Sequence, residues 1–253
     1  MWNVARGATF HMTEPEEPGA PVELTEPGAP VGRRVFLGLL GLAGLGVLFG
    51  PRLQDRLAAT IRPFADLLPS GGRFRIYSVV GSLPKRSTSE YRLRVDGLVA
   101  TPVELTYADL VAMPPTSLTR DFQCVTGWRV ADVAWTGVLL RELLERAGGV
   151  QPSARALRFH SFDGVYTESL TLDQARRDDM LCAYAMEGDQ PITSAHGGPV
   201  RLYAAPMYGY KSLKWLDRIE VVDRVVPGYW EERGYDVDAW VGRSNERDDD
   251  PTS

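Results

Sequence analysis

One sulfur atom stands out as a candidate for chemistry. Cys124 lies in Phe122-Gln123-Cys124-Val125-Thr126-Gly127-Trp128, after a polar residue and before a Gly-Trp turn. An isolated cysteine is most often a small buried hydrophobe. At a strand end facing a cleft it can instead act, as thiolate, as a soft-metal ligand or a nucleophile. Three further strings carry chemistry. In His196-Gly197-Gly198-Pro199-Val200-Arg201, the glycines and proline allow a tight turn and close backbone approach. Arg201 opens a predicted strand, and alternation puts it opposite Leu202, where its fork could meet an anion bidentately. Taken alone, His196 reads equally well as a solvated loop histidine. Tyr208-Gly209-Tyr210-Lys211-Ser212-Leu213-Lys214-Trp215 has the makings of a phosphate cradle or of a plain solvated basic turn. Phe74-Arg75-Ile76-Tyr77-Ser78-Val79-Val80-Gly81 reads as an edge strand.

The elements that must position these strings alternate irregularly. Tyr91, Leu93 and Val95 interleave with Arg92, Arg94 and Asp96, the pattern of a half-buried strand. Thr106 caps a predicted helix to Met113, with Asp109 three residues on and Pro114-Pro115 as the stop. Leu139, Leu140, Leu143, Leu144 and Ala147 keep helical spacing up to Gly148-Gly149. Thr171 with Gln174 forms a second capping box, and Leu157–Phe159, Val200–Ala204 and Ile219–Val222 read as strands. Without regular βαβ spacing, the expectation is an α+β domain with mixed sheets and short helices.

Composition narrows the function. The 253 residues are 44% hydrophobic and 24% charged, which excludes a wholly disordered chain and a multi-span membrane protein. A net charge of -5 offers no basic excess for nucleic acid, so no nucleic-acid partner is expected. Two cysteines without a CxxC pair exclude a disulfide framework and a zinc ribbon. Three scattered histidines leave any metal dependent on a cofactor that brings its own ligands.

Residues 1–32, rich in Pro, Glu and Gly, read as a disordered tail. Arg33-Arg34-Val35-Phe36-Leu37 opens an uncharged run to Gly50, which as a helix would span about 24 Å. That is short for a bilayer core of about 30 Å. Paired arginines before such a run resemble a twin-arginine export signal, over residues 33–50. The alternative is a buried core helix. No clear A-x-A site follows, so an uncleaved anchor and a released protein both stay open. Residues 51–70 read as a linker, 71–235 as the globular domain and 236–253 as a tail frayed from Asn245 onward.

Together and in this order, the four strings resemble the oxidoreductase molybdopterin-binding family with the sulfite-oxidase fold, from about residue 74 to 230. The resemblance is closest to the bacterial branch that includes the periplasmic methionine-sulfoxide reductase catalytic subunit, through the twin arginines and Cys124-Val125-Thr126-Gly127-Trp128. It implies a molybdenum-molybdopterin cofactor (Mo-MPT) with Cys124 as the metal's thiolate ligand and catalytic residue. Arg75, Tyr77 and Ser78 would line the pterin, Ser161 would contact it from a strand end, and His196 would contact it from its loop. Arg201 and Lys214, with the backbone of Ser212 and Leu213 and help from Lys211, would hold the terminal phosphate. Trp215 is expected to pack in the core, as is Cys182, while Asp163 and Glu168 could serve as acids near the site, surface loop positions being the commoner reading.

The implied reaction is oxygen-atom transfer on a small-molecule or protein-bound substrate. Because Val125-Thr126-Gly127-Trp128 replaces the Asn-Arg-Arg string of sulfite oxidases, a sulfoxide fits better than sulfite. The length beyond residue 235 leaves no room for those enzymes' dimerisation domain, so a monomer is expected. No CxxCH haem site is present, so electrons would come from a separate membrane haem or quinone partner. The expected location is periplasmic or on the outer face of the cytoplasmic membrane. Two rival readings remain: a hydrolase using Cys124 with His196, and a cofactor-free binding module on the same fold.

Overall fold

Tyr91, Leu93 and Val95 are fully buried while Arg92 and Arg94 between them are exposed, so the predicted alternation sets the inner face of β3 (Arg92–Gly97). The computed structural model describes residues 22–24 and 74–252. The expected export signal and linker lie outside the described residues, as does the expected amino-terminal tail except for β1 (Val22–Leu24). β1 forms an antiparallel ladder with β2 (Ile76–Ser78), and among the described residues no other strand pairs with β2.

β3 pairs antiparallel with β4 (Val103–Thr106) and parallel with β12 (Leu216–Val222). β12 pairs in turn with β7 (Ala156–Ser161), and β7 with β8 (Thr167–Thr171), giving the sheet order β4-β3-β12-β7-β8. The second sheet runs β10 (Gln190–Pro191), β9 (Met180–Met186), β6 (Arg129–Leu139), β5 (Thr116–Gln123), with β11 (Arg201–Ala204) also paired to β9. Every residue of β9 is buried. Met180, Cys182 and Tyr184 join the main core between the sheets. Leu181, Ala183 and Met186 join a second core with Phe122, Trp135 and Tyr203. The alternation holds from Met180 to Tyr184 and shifts at the irregularity in the β6–β9 pairing, so Ala185 joins the main core and Met186 the second, and Cys182 is a core residue.

The helices are few and short. Asp109 N donates to Thr106 Oγ1 (3.1 Å) and Thr106 N donates to Asp109 Oδ2 (2.8 Å), capping α1 (Tyr107–Ala112) reciprocally. Thr171 and Gln174 do the same for α3 (Leu172–Ala175), at 3.2 and 2.8 Å. Between them α2 (Leu140–Arg146) buries Leu140, Leu143 and Leu144 and ends at Gly148 and Gly149, both at positive φ. The result is a mixed α+β fold dominated by its sheets.

The carboxyl-terminal segment is not frayed. Trp240 bridges to Met207, Ala239 and Val241 are buried, and Thr252 Oγ1 donates to Ala205 O at 2.9 Å. Its charged composition hid an alternation in which Asn245, Arg247 and Asp249 face inward and Glu246, Asp248 and Asp250 outward. Among the described residues no helix is long and apolar enough to cross a membrane.

Candidate functional site

Cys124 follows directly on β5, in a turn closed by Cys124 N→Trp128 O (2.9 Å) and Gly127 N→Cys124 O (3.0 Å). Gly127 supplies the φ of +95° that this reversal needs. The turn points the thiol at a cavity of about 320 Å³ whose exposed lining is mostly apolar. Cys124 Sγ lies 3.2 Å from Thr126 Oγ1. Burial pushes its pKa up, while the Thr126 hydrogen bond and the charges of Arg75 and Arg247 pull it back. A His-activated nucleophile would have its thiol pushed the other way, which counts against the hydrolase reading.

The cavity gathers most of the residues singled out from sequence. Arg75, Tyr77 and Ser78 line it from β2, and His196 and Arg201 from the glycine turn and the start of β11. Ser212, Leu213 and Lys214 close its far side. His196 Nδ1 pairs with Thr193 Oγ1 at 3.0 Å, and its ring meets Phe74 edge-on at 5.1 Å.

Arg201 is 2% exposed, on the face opposite Leu202 as alternation requires. Its guanidinium donates to His196 O (2.7 Å), Ser212 O (2.6 Å) and Leu202 O (3.3 Å). It also lies over the rings of Trp135 and Phe122, at 5.0 and 5.6 Å. Lys214 Nζ donates to Tyr77 O (3.1 Å) and Ala195 O (3.3 Å). Among the described residues neither cation has a carboxylate partner. Burial lowers Arg201 to about 10. Burial, then the charge of Arg201, lowers Lys214 to about 7. Two desolvated basic groups beside one cavity, with carbonyl and ring partners but no carboxylate among the described residues, form a site complementary to an anion.

Two expected residues are not brought to the cavity. The Lys211 ammonium is buried between Glu168 (2.9 Å), Glu231 and Ser169 O (3.0 Å), so its charge is spent inside the protein. Glu168 is therefore a fully buried strand residue rather than a surface acid, its carboxyl pushed well above the usual range by desolvation despite the Lys211 charge. Ser161 is buried and its Oγ accepts from Asp163 N at 3.2 Å, so it positions Asp163 instead of reaching the cavity. Trp215 is buried as expected, and it also lines the cavity at a positive φ of 56°.

Sequence reasoning left Asp163 between two readings and missed the aromatic wall residues. Asp163 is not a plain surface acid. Its Oδ1 accepts from Val165 N (2.9 Å) and Tyr166 N (2.8 Å), while buried Oδ2 has no protein partner. Tyr166, Trp230 and Tyr235 form an aromatic side, with Trp230 and Tyr235 at 5.2 Å. The signal available was the aromatic density of Tyr229-Trp230 and Tyr235 around Gly234.

A sheet pair with few short helices, its cavity built from a thiol turn and two uncompensated cations, defines a sulfite-oxidase-like fold. A solved relative bears this out: the sulfane dehydrogenase SoxCD of Paracoccus pantotrophus superposes with a TM-score of 0.53 at 25% identity, covering 62% of this chain and 44% of that one. Residues 80–230 match the oxidoreductase molybdopterin binding domain, and the chain belongs to that family. It is thus an oxidoreductase of the molybdenum-molybdopterin class. The uncharacterized oxidoreductase YuiH of Bacillus subtilis is 37% identical over 154 residues, 60% of this chain and 76% of YuiH. The protein-methionine-sulfoxide reductase catalytic subunit MsrP of Ralstonia nicotianae is 32% identical over 155 residues, 55% of this chain and 46% of that protein. The chain thus spans about three quarters of one curated relative and under half of the other.

The residues present fit this cofactor. Arg201 and Lys214 meet an anionic end, the unpartnered Asp163 Oδ2 can accept from a heterocycle N–H, and Cys124 offers one soft donor. Among the described residues no group of three or more His, Cys, Asp or Glu could hold a metal ion.

Proposed function

We propose that this chain catalyses oxygen-atom transfer, with Cys124 as the protein's thiolate ligand to molybdenum and a sulfoxide-type substrate preferred over sulfite. The observation that carries the reading is the single cavity shared by the Cys124 thiol and the buried, carboxylate-free cations Arg201 and Lys214. When bound, the cofactor supplies a two-electron centre able to exchange an oxygen atom with substrate.

The chain's own residues anchor, orient and exclude water. Arg201 and Lys214 neutralise the cofactor's anionic end by charge-assisted hydrogen bonds. Tyr77, Ser78 and His196, which line the same cavity, would contact it, and Asp163 would offer it an acceptor. Phe74, Phe122 and Trp128 make the wall beside Cys124 apolar, which favours a neutral sulfur substrate over a dianion. Reduction of a sulfoxide consumes two electrons and two protons and yields a thioether and water. The electrons are assigned to a separate membrane haem or quinone protein, in keeping with the MsrP-type relatives. The Arg33-Arg34 string supports twin-arginine export of the folded, loaded protein, with residues 33–50 either cut away or kept as an anchor at the outer face of the membrane.

The test is elemental analysis of protein made in a host that builds the cofactor. Molybdenum near one per chain is expected in the wild type. Cys124→Ser should keep metal and fold but lose turnover of methyl sulfoxides. Full turnover in that variant, or metal-free wild type, would overturn the assignment.

A further inference from the structure

The cysteine turn does not stand alone against solvent. Arg129, at its far end, donates Nε to Gln123 Oε1 (2.8 Å), and Gln123 Nε2 donates to Cys124 O (3.2 Å). The same guanidinium donates Nη2 to Asp250 O. Arg247 lies across the turn, its Nη2 3.3 Å from where a Cβ on Gly127 would sit. Asp249 grips Arg247 from two sides, at 2.6 and 3.1 Å, and accepts from Tyr208 OH at 2.8 Å. Asn245 Nδ2 donates to Tyr210 OH at 3.0 Å. Tyr208 and Tyr210 belong to the turn that continues into Ser212, Leu213 and Lys214.

One segment, Ser244–Thr252, therefore touches both halves of the site: the thiol turn and the anion-holding turn. All of it lies beyond residue 230, where the match to the family domain stops. We propose that this segment is a positioning strap, with Arg247 and Asp249 as positioning residues that fix the Cys124 turn relative to the Arg201–Lys214 anchor. The proposal rests on the reading of Cys124 as metal ligand. A cofactor held at one end by its anion and at the other by a thiolate needs those two points at a set separation. The two turns lie more than 80 residues apart in sequence, and the strap ties them together directly.

The experiment compares the full-length wild type with Arg247→Ala and with a chain stopped after Asn245. Two quantities are read: the limiting rate constant at high pH for alkylation of the Cys124 thiolate by iodoacetamide in cofactor-free protein, which does not depend on the thiol pKa that the Arg247 charge lowers, and the Mo(V) electron paramagnetic resonance signal of the loaded enzyme. Loosening the turn should raise alkylation about tenfold and shift or broaden the Mo(V) signal, with kcat falling more than KM changes. Metal content should stay near that of wild type, because the Arg201–Lys214 anchor is intact. A wild-type alkylation rate or an unchanged Mo(V) signal in Arg247→Ala overturns the strap. Should the shortened chain fail to fold, Arg247→Ala decides alone, since it keeps the Tyr208–Asp249 and Thr252–Ala205 bonds. Metal-free wild type would overturn the ligand assignment, while the alkylation arm still tests the strap.

Discussion

Gly197 sits directly against Lys214: a Cβ on Gly197 would fall 2.6 Å from Lys214 Cγ. Gly197 also holds φ at +92°, a conformation that costs an L-residue about 1–2 kcal/mol. Its carbonyl accepts from Trp215 N at 2.8 Å, which fixes the glycine turn on the anion turn. Gly197→Ala should therefore push Lys214 off Tyr77 O and lower molybdenum per chain. Gly149→Ala is the control, because Gly149 shares the positive φ but has nothing within 4 Å of a new Cβ. Loss of metal in the first variant only, by elemental assay, is the expected result.

The Lys214 ammonium makes anion binding pH-dependent. Its pKa of about 7 in the cofactor-free protein lies below the unfolded value of about 10.4. Between those values the unfolded chain binds the proton and the native chain does not, so stability rises as pH rises across that window. Anion affinity runs the other way, since the charged form is restored below about 7. Calorimetric titration with pyrophosphate should show tighter binding at pH 6 than at pH 9 by about tenfold. Lys214→Met should flatten that dependence.

The buried Glu168–Lys211–Glu231 cluster separates two kinds of substitution. Lys211→Met removes the one cation between two buried carboxylates and should cost about 3–5 kcal/mol in urea unfolding. Desolvation holds the Glu168 carboxyl above its usual range despite the Lys211 charge, so its charge contributes less than the lysine's. Glu168→Gln should therefore cost less than about 1.5 kcal/mol. Equal losses in the two variants would show that the Glu168 charge contributes as much as the lysine's.

The legible parts of the sequence were those set within a few residues. The Thr106–Asp109 and Thr171–Gln174 caps are three-residue spacings, and the placement of Arg201 on the face opposite Leu202 follows from alternation. The fate of Lys211 is different. A Lys-x-x-Lys turn does not reveal that carboxylates 43 positions before and 20 positions after Lys211 will reach one ammonium and leave the other to the cavity. The docked carboxyl-terminal segment was hidden for a related reason. Its inward residues are themselves polar, so period two carries no hydrophobic contrast.

The two cysteines give the last prediction. Cys182 is fully buried in β9 between two cores, and burial pushes its thiol up to about 12. Cys124 is only partly covered, and two arginine charges offset part of its desolvation. Since the thiolate is the reactive form, cofactor-free native protein at pH 8 should yield one slowly titrating thiol, and a second only after unfolding in guanidinium. Cys124→Ser should abolish the native titre, whereas Cys182→Ala should leave it intact and lower stability by about 1 kcal/mol. Adding cofactor should protect the remaining thiol, because its sulfur would be engaged with metal. A native titre that survives in Cys124→Ser would place the accessible sulfur at position 182 and contradict the burial of β9.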